Sequence, residues 1–259
     1  MPGRRTRREV GEVVPVPQQT ETVMPETQQG DTLDFTKNEA NSFSFVKADG
    51  TPVARVRVLL GWEGNVDLDV SCFLVNRAGE CDWDNFVFYN SPRRIPALRK
   101  NGASGQVVES QENIDVCYPS SKNQAVVYYG NALFGEGVDG EKIFVDLARL
   151  PRAGSEEDIV KIRFVLTIYK KHDEPQKTFA DVSGITITIW DETGLDRVMI
   201  NQIFIPTTAD EYQDKYSMDI GAIIFDEAFW QWRYESYEKA EKRTLPEYAK
   251  EYGISEERP

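Results

Sequence analysis

The feature that most constrains this chain is a succession of short segments in which side chains alternate between apolar and polar with a period of two. In residues 160–169, Val160, Ile162, Phe164, Leu166 and Ile168 fall on one side, opposite Lys161, Arg163, Val165, Thr167 and Tyr169. Successive side chains of an extended strand point to opposite faces, so this pattern specifies a strand with one face buried. Val56, Val58 and Leu60 alternate in the same way with Arg55, Arg57 and Leu59. So do Leu68, Val70, Cys72 and Leu74 with Asp67, Asp69, Ser71 and Phe73, and Ile185, Ile187 and Ile189 with Thr186, Thr188 and Trp190. Further strands are expected over residues 85–89, 125–129, 143–147, 198–205 and 218–225, and a last one where Trp230, Trp232 and Tyr234 alternate with Gln231, Arg233 and Glu235. Turn signals separate them, including Pro151, Gly154 and the run Asp191-Glu192-Thr193-Gly194. Amphipathic helices do not regularly follow the strands, which argues against a doubly wound α/β sheet. The expectation is an all-β protein, an antiparallel two-sheet β-sandwich.

The ends of the chain read differently. Residues 1–41 are rich in Pro, Gln, Thr and Glu and poor in large apolar residues. Such a segment buries too little surface to offset its ordering entropy, so it reads as a disordered N-terminal arm. Residues 42–240 form the sandwich in this reading, and residues 241–259 a helical tail. In that tail, Thr244-Leu245-Pro246-Glu247 fits a capping box with Pro in the first turn, which predicts a short helix over 247–252 stopped at Gly253.

Charge and cysteine usage narrow the function. The net charge of −13 would repel nucleic-acid phosphates, so no nucleic-acid partner is expected. No stretch has the length and apolarity of a membrane span, and no signal-type apolar run follows Arg4, Arg5, Arg7 and Arg8. Cys72, Cys81 and Cys117 are odd in number and lack CxxC spacing, which predicts free thiols and a cytoplasmic protein. A basic run at Arg93, Arg94, Arg99 and Lys100 reads as a solvated loop.

Catalytic residues are sparse. The single histidine, His172, lies in the polar run 170–175, which reads as a loop. There is no GxSxG, and the glycines of 135–140 are not followed by the Lys-Ser or Lys-Thr of a phosphate loop. A non-enzymatic protein is therefore expected. The best constellation is a set of oxygen donors for a hard cation. Asp67 and Asp69 stand two apart on an expected strand, so both carboxylates point the same way and repel. Calcium takes six to eight oxygens, and the Gly-rich acidic loop 135–141 offers Asp139 and Glu141. A solvated strand face and an ordinary Asp-Gly turn are the plainer readings of the same residues.

The ordered succession of these motifs resembles one family. Trp62 followed by Asp67-Leu68-Asp69-Val70-Ser71 is similar to the opening signature of TerD domains. Asp84-Asn85-Phe86-Val87-Phe88-Tyr89-Asn90 resembles the Asp-Asp-Phe-Val-Phe-Tyr-Asn stretch of the family. Residues 130–141 and 143–147 are similar to its acidic loop and next strand, 162–169 and 176–182 to its strand and Gln-x-Phe-x-x-Val continuation, and 225–234 to its terminal Trp-x-Trp strand. The similarity runs over about residues 45–237. It implies a calcium-binding β-sandwich of tellurium-resistance, chemical-stress or phage-defence systems, working beside protein partners that are often membrane-associated. Carried over residue by residue, it nominates Asp67, Asp69, Asp139 and Glu141 as calcium ligands. The loop departs from the family pattern. Gly130-Asn131-Ala132 and Gly137-Val138-Asp139-Gly140-Glu141 carry fewer carboxylates, which predicts weaker calcium binding. A second reading stays open: a structural component of a larger assembly, virion or stress complex, with a degenerate metal site.

Overall fold

The computed structural model describes residues 42–64, 66–96, 99–100, 107–108, 117–131, 140–150, 154–170 and 172–255. The expected N-terminal arm and the acidic loop residue Asp139 lie outside them. The strands are β1 (Ser42–Ser44), β2 (Arg55–Gly64), β3 (Leu68–Asn76), β4 (Phe86–Val87), β5 (Arg94–Pro96), β6 (Arg99–Lys100), β7 (Val107–Val108), β8 (Cys117–Pro119), β9 (Val126–Asn131), β10 (Gly140–Asp146), β11 (Ile159–Ile168), β12 (Val182–Asp191), β13 (Val198–Ile205), β14 (Ser217–Asp226) and β15 (Gln231–Glu241). Among the described residues one α-helix, α1 (Leu245–Lys250), follows the last strand.

All pairings among the described strands are antiparallel. A six-stranded sheet runs β1-β15-β14-β11-β3-β4 and a five-stranded sheet β13-β12-β2-β10-β9, and β5-β8 and β6-β7 form two separate small pairs. The period-two pattern explains how the large sheets meet. Val56, Val58 and Leu60 on β2, Ile143 and Val145 on β10, and Ile185, Ile187 and Ile189 on β12 line the inner face of one sheet. They share one core with Leu68, Val70, Cys72 and Leu74 on β3, Ile162, Phe164 and Leu166 on β11, and Trp232 and Tyr234 on β15. Each large apolar side chain buried this way stabilises by about 1.5–3 kcal/mol, and a one-residue slip would turn every one of them outward.

The six-stranded sheet is also buried on part of its outer face. Phe73, Val75, Phe86 and Val165 pack there with Tyr248, Ala249 and Ile254 of the C-terminal tail in a second cluster. Polar groups fix the tail over it. Arg163 on β11 pairs with Asp219 on β14 at 2.8 Å, bonds Glu251, and donates to the Tyr252 hydroxyl at 3.2 Å. Arg243 lies over the Tyr248 ring at 4.2 Å and bonds Glu251 from the other side. The capping box sets the start of α1: Thr244 N–H donates to Glu247 Oε2 at 2.7 Å. The helix therefore begins two residues earlier than expected, and it ends at Lys250, before the turn in which Gly253 sits at φ +73°.

The segment expected as a strand over 85–89 differs more. Asp82 accepts from Asn85 N–H at 2.9 Å and closes a 3-10 turn over Trp83–Asn85. Ser91 Oγ donates to Phe86 O and accepts from Phe88 N–H, which bends the chain off the sheet after Val87. Arg93 and Arg94 of the basic run serve the same corner. Arg93 pairs with Asp84 at 3.1 Å, and Arg94 donates to the Tyr89 and Cys117 carbonyls.

Candidate cation site

The site is built at the β2–β3 turn. Gly64 ends β2 at φ +140°, a conformation open essentially to glycine, and a Cβ there would stand 2.3 Å from the Asp181 carbonyl oxygen. Trp62 Nε1–H then donates to the Val66 carbonyl at 3.1 Å, which fixes the reversal. The chain emerges at Asp67, whose carbonyl accepts from Tyr169 N–H at 2.8 Å. Asp67 therefore precedes β3 rather than lying within it, and is exposed. Asp69, half-buried, sits in the ladder opposite Thr167 of β11, with its side chain on the outer face of the sheet.

Glu141 comes from the other sheet. Gly140 pairs with Gly61 of β2, and a Cβ on it would meet the Leu60 carbonyl oxygen at 2.3 Å, so glycine lets β10 begin against β2. Glu141 follows on the same side of β10 as the buried Ile143 and Val145, and is itself only 3% exposed. The Tyr128 hydroxyl and the Val70 backbone N–H face its carboxylate and favour the charged form. The Val70 contact reaches β3 one residue from Asp69, beyond the end of the short β4, which pairs only with Cys72 and Phe73. Glu141 Oε2 is left buried with no hydrogen-bond partner.

The electrostatics follow from that burial. Desolvation, with the Asp67 charge added, raises the Asp69 carboxyl to about 7. Desolvation also raises Glu141 to about 8, against the lowering effect of the Tyr128 hydroxyl, and the Asp69 and Asp67 charges add to the rise. Three carboxylates thus act on one another, and two of them resist ionisation. Oxygen donors, mutual repulsion and an orphaned carboxylate oxygen suit a hard cation. The fit is partial. Among the described residues no three His, Cys, Asp or Glu side chains converge on one ion-binding point. Asp67, Asp69 and Glu141 are neighbours in charge rather than a finished ligand shell, and Asp139 is outside the described residues.

Sequence patterning missed the partners of Glu141. Tyr128 was legible only as one apolar position of an expected strand, and nothing in the spacing signalled that its hydroxyl serves a carboxylate. Other reactive groups stand elsewhere. His172 is exposed, with Nδ1 2.8 Å from Asp173 Oδ1. Cys72, Cys81 and Cys117 form no disulfide with one another; burial, aided by the Asp82 charge, pushes Cys81 up to about 12. No described helix is long and apolar enough to cross a membrane.

A family model, described as TerD domain, matches residues 36–252. Among solved structures, a homologue of telluride resistance protein (TerD), SCO6318 from Streptomyces coelicolor A3(2), is 15% identical with a TM-score of 0.47, covering 78% of this chain and 99% of that one. The crystal structure of a protein of unknown function, SAV2460, is 12% identical with a TM-score of 0.45, covering 76% of this chain and 95% of that one. No curated protein matches the chain.

Proposed function

The chain belongs to the TerD domain family, and from that premise we propose that it is a calcium-responsive, non-enzymatic binding module of a tellurite- or chemical-stress or phage-defence system. The observation that supports this reading best is Glu141, a carboxylate held inside the sandwich with an unpartnered oxygen, next to the repelling pair Asp67 and Asp69. A buried carboxylate with no counter-charge is costly. Calcium would supply the missing positive charge. Asp67, Asp69 and Glu141 would hold it, with further oxygens from backbone carbonyls, from water and from Asp139. Binding of the ion would then change a surface offered to protein partners, membrane-associated ones included. A cytoplasmic location is part of the same proposal, as is the absence of a nucleic-acid partner, which the net charge of −13 supports.

The test is thermal unfolding with calcium, with magnesium and with chelator. Ligand that binds only the native state raises the midpoint; at a hundredfold excess over Kd the gain is about 2.7 kcal/mol, or several degrees for a domain of this size. The expected result is a calcium-specific rise that Asp67→Ala removes. A normal calcium shift in Asp67→Ala would sink the ligand assignment.

One observation favours a second reading, a structural component of a larger assembly with a degenerate metal site. That observation is the lack of a three-ligand cluster among the described residues. An assembly that survives chelation, together with no midpoint shift at millimolar calcium, is the outcome that reading requires.

A further inference from the structure

Beside the outer-face cluster, the C-terminal tail bridges the six-stranded sheet and leaves a cavity of about 460 Å³. Its walls are largely aromatic: Trp83, Phe88, Tyr89, Tyr169 and Tyr216 line it, and the start of α1 closes one side. Tyr89 and Tyr169 stand edge to face at the mouth, with ring centroids 6.4 Å apart and planes at 83°, both rings partly exposed. Phe88 buttresses Tyr89 at 5.7 Å. Asp69 is the one carboxylate among the described lining residues, and no described cation pairs with it.

We propose that this cavity binds a small organic cation with an apolar body, its charge held by the Asp69 carboxylate beside the Tyr89 and Tyr169 rings. The volume is that of a small-molecule site. A carboxylate set among aromatic rings is a recognition chemistry for ammonium groups, because the ring quadrupole and the anion attract the same charge. The two cationic side chains of the lining do not reverse the sign. Arg243 is taken up by Glu241, Glu251 and the Tyr248 ring, and Lys170 is exposed at the rim. A metal ion would draw on oxygen donors and leave the aromatic walls unused, so the walls argue for an organic ligand. This inference goes beyond the calcium reading. Asp69 is common to both, and the tyrosines belong to this one alone.

The experiment is calorimetric titration of the full chain, in chelator, with benzyltrimethylammonium, and with benzenesulfonate and benzyl alcohol as anionic and neutral probes of similar shape. Benzyltrimethylammonium should bind and benzenesulfonate should not. Tyr89→Leu and Tyr169→Leu should each weaken binding about 3- to 5-fold, and Asp69→Asn about 10-fold or more. Tyr89 and Tyr169 are 44% and 45% exposed, so their variants should fold, which an unchanged unfolding midpoint confirms. Their calcium-induced midpoint shift should match the parent's. No cation binding at millimolar concentration overturns the proposal, as does equal binding of benzenesulfonate, or parental affinity in all three variants. Cation binding without any calcium shift supports this site and counts against the calcium reading; a calcium shift without cation binding does the reverse.

Discussion

Phe73→Ala should lower the unfolding free energy by about 3–5 kcal/mol, the cost of emptying a buried aromatic site. Phe73 is fully buried, yet it lies on the outer face of β3, away from the sandwich core. Its ring stacks on Phe86 at 4.5 Å and 8°, and meets Tyr252 of the tail at 5.1 Å. Truncation therefore removes the floor on which the tail rests and joins the new void to solvent beneath α1. At about 2–4 °C per kcal/mol for a domain of this size, the midpoint should fall by roughly 6–20 °C. The tryptic cut that the variant gains over the parent should fall in the tail, at Arg243 just before α1 or at Lys250 at its end, before the sheets open. Tyr237→Ala, at a partly exposed ring, serves as the control, with a small change. If Phe73→Ala lost less than about 1 kcal/mol, the tail would not be docked as described.

Phe73 also shows where sequence patterning stops. Period-two alternation places Phe73 with Asp67, Asp69 and Ser71, opposite Leu68, Val70, Cys72 and Leu74, and that split is right. Alternation cannot say that the second face is covered as well, because cover comes from a segment more than 160 residues further along the chain. The two-sheet architecture was legible because strands have a local signature: β13 spans residues 198–205, as expected, and β14 differs from its expected bounds by one residue at each end. The 85–89 segment was not legible as a bend, because two side chains, Asp82 and Ser91, divert the backbone from a ladder that Phe86–Val87 begins. At the site, Asp67 and Asp69 could be named from spacing alone, and the capping box of α1 from four letters. The burial of Glu141 could not, since it arises where β10 passes the end of β4 and faces Val70 of β3 across the sandwich.

That burial gives Glu141 a measurable signature. Its carboxyl is raised from the ordinary 4.5 to about 8, chiefly by desolvation, so the folded protein favours the protonated form. A raised acid contributes fully below its unfolded value, where both states are protonated. Stability is then lost as pH climbs from about 4.5 toward 8, because the unfolded chain ionises freely and the folded one does not. One unit corresponds to about 1.4 kcal/mol, so the loss from this group is on the order of 3 kcal/mol by pH 7. Asp69, raised to about 7, adds a loss of the same sign. Asp214, held down to about 2 by Lys215 and Lys242, acts at lower pH and does not mask this window. Glu141→Gln keeps the shape and removes the titration. In chelator, parent and variant should unfold at similar temperatures near pH 5. By pH 8 the variant should be the more stable, by about 1–3 kcal/mol after allowance for its less well satisfied amide. Calcium would compensate the ionised parent and should leave the variant's midpoint unmoved. A variant whose midpoint falls with pH in parallel with the parent's would show that another group carries the pH dependence. A variant less stable than the parent at pH 8 would show that the carboxylate already has a counter-charge in the folded protein.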